Sequence, residues 1–198
     1  MKLVALPGKL NQGGMEYPTV TLLSTVTGAN PTNDMDHLIN HETGHNWFYG
    51  ILASNERMHP WMDEGMNSYY DNRYANEIMR KPDESVNSIF FSNRVPTLRE
   101  TESLALQFLI KLKKDQPINT VSEKFSWANY GTIPYKKAAL WMNKLEMEMG
   151  RPLFDSMMQR YYKRWQFKHP YPEDFRQVAE EVSGRNLDAV FNLLDKRG

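Results

Sequence analysis

Cysteine is missing altogether from the 198 residues. That absence excludes a disulfide framework and any metal site built on thiolates, so a metal here must be held by His and carboxylate. Net charge is missing too. The 24 Lys and Arg balance 24 Asp and Glu, which leaves no overall field to recruit nucleic acid or an anionic membrane. No apolar run approaches the ~20 residues of a membrane span. Met1 to Leu6 superficially resembles a leader, but Pro7-Gly8 ends the run early, and a strand is the better reading. Internal repeats, low-complexity tracts and linkers are also lacking, and the length suits one domain with a sizeable core. What the chain has in quantity is 10 Tyr, 5 Trp and 12 Met. These side chains fill an interior first and an apolar cleft second.

Taken in order, Leu3–Leu6 and the β-branched run from Thr19 to Thr27 read as strands that can pair. Asn33 or Asp34 can cap a helix expected to run to about Ala53, with Leu38, Trp47, Phe48, Ile51 and Leu52 as its packing residues. A second helix is expected from Asp63 through Tyr69, Tyr70 and Tyr74 until Lys81-Pro82 closes it. Between Ser85 and Asn119 two helical pieces part near Pro96, and Leu104, Phe108 and Leu112 form an apolar stripe expected to face the core. Residues 117–134 read as mostly irregular. Helices then follow from Tyr135 to about Met149, from Pro152 to about Trp165, near Pro172 to Val182 and from Leu187 to Lys196. The fold class is mainly α, formally α+β, with a short β portion at its start. One domain over 1–198 divides into a β edge (1–30), a helix pair (33–80) and a helical subdomain (84–198).

The chemistry concentrates in His41-Glu42-Thr43-Gly44-His45, followed after 18 intervening residues by Glu64. On a helix, positions i and i+4 share a face, so both imidazoles can aim at one point. Glu42, rotated by about 100°, flanks that point. The pattern suits one Zn²⁺ per chain held by His41, His45 and Glu64, with a fourth position open. Glu42 would take a proton from water on the metal. The bland alternative is a surface helix with two satisfied histidines. His37 lies four residues before His41 and could substitute as a ligand, but packing or a supporting hydrogen bond suits it better. His59 and His169 read as loop or surface residues. The basic run Arg160, Lys163, Arg164 and Lys168 reads as a solvated face.

The segment from His41 to Gly50 resembles the H-E-x-x-H-x-W-x-G stretch of the aminopeptidase N relatives, with one extra residue before its glycine. This gluzincin group of zinc metallopeptidases also contains a leukotriene epoxide hydrolase. Asp63-Glu64-Gly65-Met66-Asn67-Ser68-Tyr69 resembles the group's N-E-G-F-A-x-Y stretch. Gly13-Gly14-Met15-Glu16-Tyr17 resembles its G-x-M-E-N exopeptidase motif, and Tyr130 to Ala138 resembles Y-x-x-x-P-Y-x-K-G. The resemblance implies a thermolysin-like zincin catalytic domain acting as an aminopeptidase on peptides with a free N-terminus. It implies that Glu16 binds the substrate ammonium, with Met15, Tyr17 and Tyr130 lining the site. It makes Glu42 the base and Tyr135 the oxyanion-stabilising hydroxyl.

Three departures stand out: Tyr17 and Asp63 replace Asn, and Ala138 replaces Gly. Members of the group carry a β-rich domain before the G-x-M-E-N strand, so such a domain is an expected packing partner of a catalytic domain seen here alone. Two other readings stay open. One is an endopeptidase or epoxide hydrolase with the same zinc chemistry; the other is a metal-binding fragment without turnover.

Overall fold

In a computed structural model, residues 2–6, 13–24, 31–78 and 98–198 are described. Three strands open the fold: β1 (Lys2–Leu6), β2 (Gly14–Met15) and β3 (Val20–Ser24), in the sheet order β1-β3-β2. β1 runs parallel to β3, with Lys2 opposite Val20 and Leu6 opposite Ser24. β2 runs antiparallel to β3, placing Met15 opposite Leu22. The two expected strands therefore do pair. The two-residue β2 is an addition that the sequence pattern did not signal, because Pro18 and two glycines mask so short a strand. Its effect is to deliver Glu16 from the sheet edge.

Helix α1 spans Pro31–Phe48 and α2 spans Glu64–Ile78. α1 stops short of the expected end at Ala53. The amides of Tyr49 and Gly50 both reach the His45 carbonyl, at 3.0 and 2.7 Å, and Ala53 takes a left-handed φ of 50°. A tight 3₁₀ turn, Pro60–Met62, with all three residues buried, then swings the chain into α2. Glu64 thus falls in the first turn of α2. The expected close of this helix at Lys81-Pro82 lies outside the described residues, as do the first of the two helical pieces after Ser85 and the side chains of Asn33 and Asp34.

Helix α3 (Leu98–Lys111) corrects the expected stripe. Phe108 is 63% exposed and Leu112 47%, whereas Leu106 is buried and Ile110 packs on the core. A helical period shows that an apolar face exists; with leucines on two faces it does not show which one turns inward. Trp47 is likewise exposed rather than packed. The stretch read as irregular contains a 3₁₀ turn (Ser122–Lys124) and a single α-turn (Trp127–Tyr130). Ile133–Lys137 then forms a π-turn before α4 (Ala138–Met149). Pro134 supplies no N–H to the ladder there, and the amides of both Lys136 and Lys137 turn back to Thr132 O.

Gly150, at φ 82°, separates α4 from α5 (Arg151–Trp165). α6 (Pro172–Ser183) and a last helical turn, Asp188–Phe191, follow. The core runs through these helices: Trp61, Met66, Tyr69, Met142, Leu145, Phe154, Tyr161 and Phe175 are all fully buried or nearly so. Its aromatic rings meet edge to face, with Trp61 on Trp141 at 5.3 Å and Tyr161 on Phe175 at 4.9 Å, the arrangement that their quadrupoles favour. Among the described residues, no helix is long and apolar enough to cross a membrane.

Candidate metal centre and cleft

α1 and α2 pack side by side, and their facing side chains meet in a small triangle. His41 Nε2 and His45 Nε2 lie 3.1 Å apart. Glu64 Oε2 lies 3.3 Å from the first and 3.4 Å from the second. Behind each imidazole stands a carboxylate: Asp71 Oδ2 is 2.7 Å from His41 Nδ1, and Asp63 Oδ1 is 2.6 Å from His45 Nδ1. An Nδ1–H donated to a carboxylate leaves the Nε2 lone pair facing the centre. Asn40 fixes Asp71 through a 2.6 Å bond, and Asn67 donates to the His41 carbonyl at 2.7 Å.

The triangle asks for a cation. Two lone pairs and a carboxylate oxygen converge, and the buried Glu64 Oε2 has no hydrogen-bond partner. Burial is the largest influence on both rings and opposes their charge. Even so, Asp71 and Glu64 hold His41 up at about 10, and Asp63 and Glu64 hold His45 up at about 11, so protons compete with a metal ion for the two Nε2 positions. Burial likewise works against an ionised Glu64, but the charge of the two histidines keeps it well below its ordinary value. A tetrahedral zinc ion with bonds of about 2.0–2.1 Å spaces its ligand atoms about 3.3–3.4 Å apart. The residues present fit it. Among the described residues, His37 belongs to none of the converging groups. His59 sits instead against Asn119, and His169 against the Ala53 carbonyl.

Around the triangle lie the other residues singled out in the sequence. Glu42 is buried, its Oε2 has no hydrogen-bond partner, and burial pushes its carboxyl up to about 7 against the pull of the two histidines. β2 runs close above it. A Cβ on Gly14 would lie 2.4 Å from Glu42 Cδ, so a larger residue there would have to displace the Glu42 side chain. Tyr135 Oη donates to Glu64 Oε1 at 2.7 Å, and its ring lies 6.0 Å from that of His41. Burial and the Glu64 carboxylate push the Tyr135 hydroxyl far up, so it remains an O–H donor. Glu16 offers a carboxylate oxygen within 4.8 Å of ligand atoms on Glu42 and His45. Met15, Tyr17 and Tyr130 are exposed, and partial burial and the Glu64 charge push the Tyr130 hydroxyl above its ordinary value.

Sequence reasoning did not find Asp71, Asn67 or Glu56. For the first two a signal existed: Glu64, Asn67 and Asp71 recur at helical spacing and share one face of α2. Glu56 sits in the loop between the helices, where no period operates. Its carboxylate stands within 4.8 Å of those of Glu16 and Asp63.

A mainly helical fold with a three-ligand centre on adjoining helices, and a carboxylate beside it, defines a zincin-type metallopeptidase domain. The chain belongs to peptidase family M1, whose domain model matches residues 1–194. It is similar to leucine aminopeptidase 2 of Yarrowia lipolytica, at 23% identity over 84% of this chain and 26% of that one. It is also similar to glutamyl aminopeptidase of Bitis rhinoceros, at 27% identity over 92% of this chain and 18% of that one. The chain therefore spans about a quarter or less of these two relatives. In fold it is similar to the M1 zinc metallopeptidase of Deinococcus radiodurans (TM-score 0.66, 15% identity, 98% of this chain and 39% of that one). Yeast LTA4 hydrolase is a second such neighbour (TM-score 0.66, 20% identity, 94% and 30%).

Proposed function

We propose that the protein is a zinc-dependent aminopeptidase that hydrolyses the first peptide bond of peptides with a free N-terminus. The observation that carries this reading is the convergence of His41 Nε2, His45 Nε2 and Glu64 Oε2, with Glu42 and Glu16 beside them. His41, His45 and Glu64 would hold the ion, oriented by Asp71 and Asp63. When bound, zinc supplies Lewis-acid polarisation and makes water nucleophilic near neutral pH.

The remaining work falls to the chain's own side chains. Glu42 accepts the proton of the attacking water and returns it to the leaving amine, as a carboxylate raised towards neutrality can do in both directions. Tyr135 donates its O–H to the oxygen on which charge develops, exchanging its bond to Glu64 for one to substrate. Glu16 pairs with the α-ammonium and sets the distance from chain end to scissile bond. Met15, Tyr17 and Tyr130 contact the substrate's first residues. The relatives' greater length supports a further domain packing against this one in the working enzyme.

Glu42→Gln should retain one zinc per chain by elemental analysis while cleavage of aminoacyl anilides falls about 100- to 10,000-fold. Cleavage at the wild-type rate by this variant would refute the mechanism. N-acetylated versions of the same substrates should resist the wild type, and an endopeptidase would not make that distinction.

A further inference from the structure

The hairpin that carries Glu16 is built on a turn that its own sequence resists. Gly14 pairs with Leu23 and Met15 with Leu22, so the same register sets Tyr17 against Val20 across a two-residue loop, Pro18-Thr19. The Val20 amide closes that loop on the Tyr17 carbonyl at 3.1 Å. Loops of this length favour turns with a positive φ at their first residue, because that twist matches the flanking strands. Proline cannot take it, since its ring locks φ at about −65°. The positive φ falls on Thr19 instead, at 71°, the type II pattern that ordinarily calls for glycine. Among the described residues Thr19 is the only β-branched one with a left-handed φ, and its branched side chain makes that conformation costly. Such strain survives only where the surroundings hold it in place.

The other end of β2 is fastened as firmly. The Gly13 amide donates to Ser24 Oγ at 2.8 Å, and the Ser24 amide donates to the Gly13 carbonyl at 3.0 Å. The hydroxyl of the buried Ser24 donates to that same carbonyl. Between the two fastenings, side chains alternate across the strand. The missing side chain of Gly14 points at Glu42, so the alternation sets Glu16 on that face, and its carboxylate lies within 4.8 Å of ligand atoms on Glu42 and His45. A slip of one residue would turn Glu16 to the opposite face. We infer that Thr19 is a positioning residue: its strained turn, with Ser24 as counterpart at the far end, holds the hairpin in the register that sets how far Glu16 stands from the metal centre. This rests on the aminopeptidase reading and adds a positioning residue to it. A branched side chain in that conformation keeps the turn stiff, whereas glycine relieves the strain and lets the turn wander.

The test is Thr19→Gly in the zinc-loaded protein. Its urea midpoint should rise at constant m-value, because glycine takes a left-handed φ without strain. The enzyme should nevertheless lose discrimination. Its preference for the anilide of alanine over that of β-alanine, whose amine stands one methylene farther from the scissile bond, should fall about 10-fold. Ser24→Ala should lower the midpoint and narrow the same preference. Opposite shifts in stability with the same loss of discrimination are what a positioning role requires. A more stable Thr19→Gly with an unaltered preference would overturn the inference. So would a lower midpoint, which would show that the turn stores no strain, and so would an equal loss on both anilides, the mark of a merely structural fault. If the wild type cleaves neither anilide the aminopeptidase reading itself fails, and amide order parameters from nuclear magnetic resonance relaxation then decide. Those of Glu16 and Tyr17 should fall in Thr19→Gly, and unchanged values would refute the frame.

Discussion

Asp71 decides which nitrogen of His41 faces the centre. Its Oδ2 takes the Nδ1 hydrogen at 2.7 Å while Asn40 steadies its other oxygen. Supporting carboxylates of this kind are worth about 10- to 100-fold in metal affinity. Asp71→Asn should therefore weaken zinc binding by that factor in competition with a chromophoric chelator, while the fold, read by circular dichroism, stays unchanged. An unaltered affinity would remove Asp71 from the metal site. The residue scale is where the sequence was most legible. His41, Glu42 and His45 are spaced by local helix geometry, so five letters suffice to place the two histidines on one face with Glu42 about 100° to the side. Asp71 and Glu56 were illegible for opposite reasons. Asp71 obeys a period but needs the packing face of α2 to be known, and Glu56 depends on the course of a loop.

The element that most constrains the site is the junction of α2 with the π-turn Ile133–Lys137. Gly65 follows the proposed ligand Glu64, and a Cβ there would stand 2.5 Å from Ala138 Cβ and 2.8 Å from the Pro134 carbonyl. The carbonyl belongs to a turn whose own hydrogen bonds are already rearranged, so it has little freedom to retreat. Gly65→Ala should cost about 1–3 kcal/mol by overpacking, read as a lower urea midpoint at constant m-value. It should also part Tyr135 from Glu64, lowering kcat more than stability alone accounts for. A variant as stable and active as the wild type would show that the junction yields. Ala138, a departure from the family's glycine, is thus the nearest wall met by a side chain at Gly65. Element existence was legible from capping and apolar period. The π-turn was not, because proline signals a break without specifying how the ladder closes around it, and α3 showed that a period does not name the inward face.

At the scale of the whole molecule, one buried ion pair ties the π-turn, the segment after α3 and the last residues together. Lys137 Nζ lies 2.7 Å from Asp115 Oδ2 and donates to the carbonyls of Gln116 and Lys196 at 3.1 Å each. The amide of Gly198 reaches the same Asp115 oxygen at 2.8 Å. Burial by itself would raise the Asp115 carboxyl, but Lys137 and the Gly198 amide outweigh it and hold the group below its ordinary range. A carboxyl depressed in the folded state contributes stability above its unfolded pKa of about 3.9, and the contribution is lost as pH falls through the folded value. Removing one partner of a buried pair costs about 3–5 kcal/mol. Asp115→Asn should therefore be less stable than the wild type by about 3 kcal/mol in urea unfolding at pH 7. The gap should persist at pH 5 and narrow as pH falls below about 3.9, where first the unfolded and then the folded wild-type carboxyl takes up a proton. Because Lys137 sits two residues beyond Tyr135, the same variant should loosen the tyrosine's turn and lower kcat at pH 7. A stability gap independent of pH would show that Asp115 acts through packing alone, and the charge link between the fold's last residues and its cleft would have to be abandoned.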